Sequence, residues 1–188
     1  VVAIDCGILK RAKKALGDDG ILSPSFHGPF NILVYAYRKV DDLLLDIYTN
    51  PKFFHAMMDF FLDRLMKHIQ QMIDTGEPAL FDIGANVANG RLVSSELYAD
   101  VFIPYENRLA DFVQSQGVSA MLHNCGYAAN HLDVYQQLHH RAWGYLTPAP
   151  YGDVVLADAV KRLPESTILW GNIDQIEFLR KSSPVEVE

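Results

Sequence analysis

Apolar residues recur along this chain in two rhythms. Phe54, Met57, Met58, Phe61, Leu65, Ile69 and Met72 fall at steps of three and four, the spacing that lays side chains along one face of a helix. Asn50-Pro51 opens this long helix, with Pro tolerated in the first turn, and Gly76 stops it. A stripe rich in Met and Phe reads as core. The same rhythm predicts a helix over Val1 to Leu16, with Ile4, Ile8 and Leu9 on one face and Lys10, Arg11, Lys13 and Lys14 in solvent; Gly17 ends it. Further helices are expected from Asn31 to Leu45, from Ser94 to Gln116 with a bend near Pro104, and from the Asn124–Ala129 loop to His140. Asp153 caps another that runs to Leu163, and the last spans Ile173 to Arg180. The second rhythm is a set of short apolar runs, Ile21–Phe26, Ala79–Ile83, Val118–Leu122, Ala142–Leu146 and Thr167–Trp170, each of strand length.

Strand and helix alternate five times, which argues for a parallel sheet with helices packed outside. Strands buried on both faces read as apolar runs without strict alternation, as these do. The expected fold class is therefore α/β, a (β/α)8 barrel present here as about five of its eight units. A closed barrel takes roughly 200–250 residues. The expectation is a single domain over residues 1–188 that forms an internal part of a larger barrel. No fixed-period repeat, low-complexity segment or linker interrupts it.

Composition narrows the classes. With 49% hydrophobic and 21% charged residues in 188, the chain can build a packed core and is not of disordered type. A net charge of -7 and a pI near 5.4 argue against nucleic acid, which calls for clustered Lys and Arg. No apolar run approaches the ~20 residues of a membrane span, and no charged-then-apolar leader opens the chain. Cys6 and Cys125 are too few for a disulfide framework. The expected setting is the cytoplasm, away from membranes.

Chemistry concentrates in Val118 to Gly126. Alternate residues of a strand share a face, so His123 and Cys125 project together, at the strand end where a barrel places its active site. An imidazole beside a thiolate makes half of a tetrahedral zinc site, and Gly126 lets the backbone turn close by. Ordinary burial of a His and a Cys is the competing reading, and a nucleophilic Cys–His pair is a third. Other strand ends carry His27, Asp82 and the Gly171-Asn172-Ile173-Asp174 turn. Taken singly these read as a loop histidine, a turn carboxylate and a first-turn acid; together on one rim they form a candidate site. The pair His139-His140 lies at the opposite end of its unit and reads as surface.

At these positions the chain resembles the uroporphyrinogen decarboxylase superfamily, and within it the zinc-dependent, corrinoid-linked methyltransferases. The resemblance is carried, in order, by Gly28-Pro29-Phe30, the helix after Asn50-Pro51, Phe81-Asp82, Pro104-Tyr105, His123-Asn124-Cys125-Gly126 and Gly171-Asn172-Ile173-Asp174. It implies a (β/α)8 barrel, with this chain running from about the third strand to the seventh. It also implies Zn²⁺ on His123 and Cys125, Asp82 and His27 as catalytic partners with Asp82 ranked first, and cofactor contacts at Asn172 and Asp174. The implied partners are a corrinoid protein that carries the methyl group and a small-molecule methyl donor or acceptor. Metal-free uroporphyrinogen decarboxylation is the alternative, and a non-catalytic barrel fragment with structural His123 and Cys125 a further one. The family's third zinc ligand is often a cysteine near the eighth strand, after Glu188; Cys6 is a poor substitute. Gln175 replaces the usual Pro after the Asp174 turn. Thr147 to Asp153 resembles members that demethylate aryl methyl ethers.

Overall fold

The computed structural model describes residues 5–187, and each predicted strand–helix unit has a strand there. Helix α1 spans Gly7–Leu16, with Lys13 and Lys14 in its last turn, where cations oppose the helix dipole. It buries no residue, and Ile8 of its predicted apolar face is exposed. The predicted start at Val1 and the position of Ile4 lie outside the described residues. Strand β1 is Ser25–His27, shorter and later than expected, because Leu22 makes only an isolated bridge to Pro78.

The helix expected from Asn31 to Leu45 is two helices, α2 (Pro29–Ala36) and α3 (Val40–Thr49). Arg38 sits at the break, and its guanidinium donates to both carboxylate oxygens of buried Asp46 at 2.7 and 3.2 Å. That bidentate pair fixes the corner between the two helices. Helix α4 (Pro51–Ile73) follows the predicted stripe and buries Phe54, Met58, Leu62, Leu65 and Ile69. Strand β2 (Leu80–Gly84) is buried throughout.

The bend predicted near Pro104 is a π-helical turn, Tyr98–Phe102, between short α5 (Ser95–Leu97) and α6 (Ile103–Gln114). Proline has no N–H to give to the helix ladder, and the wider turn accommodates it. Strand β3 is Ser119–Asn124. The helix expected to reach His140 is instead two 3₁₀ turns, Ala129–His131 and Val134–Gln137. The Asp153 carboxylate takes the Ala128 and Ala129 N–H groups at 2.8 and 3.0 Å, so it caps this loop and not the next helix. Strand β4 is Ala142–Tyr145, α7 is Leu156–Arg162 and β5 is Ile168–Gly171. The predicted last helix shrinks to α8 (Phe178–Lys181), because Asp174 draws the Ile176 and Glu177 N–H groups into a turn. A last turn of helix, α9, covers Pro184–Val187.

All five strands are parallel and lie in sequence order. The fold is thus a partial barrel of α/β type. Its outer face presents Phe81, Ile83, Ala120, Leu122 and Trp143 to the helices, in one large core with Phe54, Met58 and Leu109. Its inner face carries a small separate cluster, Leu80, Met121 and Ala142. Above that cluster the inner face turns polar. The surface reading of His139-His140 holds for only one of them: His139 is exposed and paired with Asp111 at 2.8 Å, whereas His140 is buried. Side-chain direction alternates between adjacent residues of an extended segment, so one ring faces out and the next faces in. No described helix is long and apolar enough to cross a membrane.

Candidate functional site

Strand register sets the site. His27, Gly84, His123, Gly144 and Trp170 are paired across the sheet in one row at its C-terminal rim. One layer deeper lie Ser25, Asp82, Met121, Ala142 and Ile168. Residues paired in register point to the same face, so Asp82 sits beneath His123 on the inner side. His123 Nδ1 lies 3.2 Å from Asp82 Oδ1 and 3.3 Å from Oδ2. Asp82 is buried; His123 is partly open to the cavity and Cys125 is exposed.

His123 and Cys125 line the same cavity, as expected of alternate residues at a strand end, and are close enough to influence each other's titration. Burial pulls the His123 pKa down, but the hydrogen bonds and charges of Asp82 and Cys125 outweigh it and bring it up to about 9. The hydrogen bond from His123 holds the Cys125 thiol below its ordinary value, against a smaller opposing effect of burial. The pair is therefore predisposed to a thiolate beside an imidazolium, the state from which a metal would displace the imidazole proton.

Both residues line a cavity of about 440 Å³ at the ends of β3, β4 and β5. Tyr145, Tyr151 and Trp170 give it an aromatic wall, and Thr147, Pro148 and the Gly171–Ile176 turn complete it. Asp174 lines this cavity but also caps its own turn through Oδ1. Asn172 does not line it: its side-chain amide donates to the carbonyls of Leu146 and Val154, tying the β4 and β5 loops together. His27 shares the rim row but not the cavity, and packs its ring against Tyr35 at 4.8 Å. Sequence reasoning thus brought together Asp82, His123, Cys125 and Asp174 and missed Tyr145, Tyr151 and Trp170. Strand-end position would have flagged Tyr145 and Trp170, since each lies within the last two residues of its apolar run.

Among the described residues, no three His, Cys, Asp or Glu side chains are grouped as a metal cage. The donor set present, one imidazole nitrogen and one thiol sulfur with a carboxylate behind the imidazole, has the chemistry zinc prefers and supplies two ligands of four. Zinc therefore fits this pair as a partial site, which substrate or further protein ligands would complete.

A family model described as uroporphyrinogen decarboxylase (URO-D) matches residues 3–188. A curated relative named methylcobamide:CoM methyltransferase MtbA, from Methanosarcina mazei, is 24% identical over 164 residues, which is 87% of this chain and 46% of the relative. Its namesake from Methanosarcina acetivorans is 23% identical over 163 residues, 87% of this chain and 45% of the relative. The chain thus spans about half the length of the curated relatives it matches. A solved structure described as a methyltransferase from Methanosarcina mazei superposes with a TM-score of 0.79 at 14% identity, covering 93% of this chain and 49% of the other. That likeness shows the fold.

Proposed function

The chain belongs to the uroporphyrinogen decarboxylase family, and from that premise we propose that it forms part of a zinc-dependent methyltransferase that exchanges a methyl group with a corrinoid protein. One observation carries the reading: His123 and Cys125 stand side by side on the wall of a cavity at the strand ends, with the Asp82 carboxylate on the far ring nitrogen. Two curated relatives named for transfer between a methylcobamide and CoM support it. His123 and Cys125 would hold the ion; when bound, zinc acts as a Lewis acid that favours the deprotonated form of a thiol acceptor. Asp82 accepts from His123 Nδ1, which fixes the ring and leaves Nε2 for the ion. Tyr145, Tyr151, Trp170 and the turn that carries Asp174 line the cavity in which His123 and Cys125 stand. We read the chain as part of a larger barrel whose remaining strands complete the site, and we place the enzyme in the cytoplasm.

The acceptor favoured by the relatives is a small thiol. A second reading, demethylation of an aryl methyl ether, is favoured by the aromatic lining from Tyr145, Tyr151 and Trp170, which suits a planar ring. The test is demethylation of free methylcobalamin by the intact zinc-loaded protein, followed by absorbance, with 2-mercaptoethanesulfonate or a methoxyarene and cob(I)alamin as the alternative pairs. Thiol-dependent demethylation, reduced at least ~100-fold in Cys125→Ser, supports the first reading. Turnover of the methoxyarene alone supports the second. Activity unchanged by Cys125→Ser, or decarboxylation of a porphyrinogen without zinc, contradicts both.

A further inference from the structure

The reading above gives no role to Tyr145, at the end of β4, although its side chain bears on both partners of the site. Its hydroxyl donates to Asp82 Oδ2 at 3.2 Å, across 63 residues of sequence. Its ring centroid lies 4.2 Å from that of His123, with the planes at 47°. Two features of the sheet make these contacts consequential. In the rim row both neighbours of His123 are glycines, Gly84 and Gly144, so no side chain from β2 or β4 braces the imidazole at its own level. Around Asp82 on the inner face, Leu80, Met121 and Ala142 have no donors to offer a carboxylate, and Ser25, its register partner on β1, makes no hydrogen bond to it. Among the described residues, only His123 and Tyr145 hydrogen-bond to the Asp82 carboxylate, both at Oδ2, and buried Oδ1 is left without a hydrogen bond.

We propose that Tyr145 is a positioning residue for His123: its hydroxyl fixes the Asp82 carboxylate and its ring braces the imidazole, so that Nδ1 stays on Asp82 and Nε2 faces the cavity. The proposal rests on the zinc reading of His123 and Cys125 and assigns the ring and hydroxyl separable parts. Loss of the hydroxyl alone frees the carboxylate. Loss of the ring frees the imidazole as well.

The test is the affinity of the intact protein for zinc alone, measured by competition with a chromophoric chelator. Tyr145→Phe keeps the ring and weakens binding about 3–10-fold, the range of a single hydrogen bond. Tyr145→Leu removes both parts and weakens it about 10–100-fold, as loss of a partner behind a metal ligand does. The double-mutant cycle separates positioning from general structural damage. If the hydroxyl acts through Asp82, then Tyr145→Phe made on top of Asp82→Asn changes affinity by less than about twofold. Should Tyr145→Leu fail to fold, the Phe variant and the cycle decide. Wild-type affinity in Tyr145→Phe, or a full independent loss in the Asp82→Asn background, overturns the proposal while leaving the zinc site standing. Absence of zinc binding in the wild type, or binding unchanged by Cys125→Ser, overturns the site and the proposal with it.

Discussion

His140 carries both ring nitrogens into the interior, and neither has a hydrogen-bond partner among the described residues. Burial, reinforced by neighbouring His139, lowers its pKa to about 3. The folded state therefore keeps it neutral, while the unfolded chain protonates near its ordinary value of ~6.5. Its contribution to stability is present above pH 6.5 and is lost as pH falls through 6.5 towards 3. His140→Phe should flatten the acid side of the stability profile, read as urea midpoints at pH 7 and pH 4.5. Glu106 acts in the opposite sense. Burial raises its carboxyl to about 8, so stability is full below about 4.5 and declines as pH rises to 8. Glu106→Gln should raise the urea midpoint at pH 8.5 relative to wild type and leave pH 4 nearly unchanged. Neither residue was legible in the sequence, because burial of a single polar side chain leaves no periodic trace. The convergence of His123 and Cys125 on one cavity was legible because alternation on a strand is strict: residues two apart share a face.

Elements were legible where one rhythm ran unbroken. The α4 stripe gave its helix nearly to the residue, and the five apolar runs gave the five strands. They were lost where a side chain competed with the backbone ladder. Asp153 gives its carboxylate to N–H groups of the Ala128–Ala129 loop and Asp174 to those of its own turn, and the helices expected beside them shorten accordingly. The corner at Arg38 was equally hidden, since its cause is a pairing with Asp46 in the next helix and not a Gly or Pro. At the end of β5 the chain turns through Gly171, with φ +117°, a conformation that favours glycine; an added Cβ would sit 2.7 Å from the Tyr145 carbonyl oxygen. Gly171→Ala should therefore cost about 1–3 kcal/mol, from strain of the backbone and displacement of β4. Urea denaturation checks this; a loss within ~0.5 kcal/mol would show that the turn relaxes.

Across the whole molecule, the sheet divides the work. Its outer face anchors the strands in one apolar core, and its inner face sets Asp82 among a small apolar cluster with His123 and Cys125 at the rim above. Strand parallelism puts every strand's C-terminal end on one rim, so residues distant in sequence meet there without any long-range motif. That geometry explains why an ordered set of weak motifs identified the family while each alone did not. The central claim is that His123 and Cys125 are zinc ligands. X-ray absorption at the zinc edge, on the intact protein loaded with one equivalent of zinc, tests it most directly. The account predicts nitrogen scattering at about 2.0–2.1 Å and sulfur scattering at about 2.3 Å, with one sulfur fewer in Cys125→Ser. A first shell of oxygen and nitrogen alone, or a sulfur count untouched by Cys125→Ser, would contradict it.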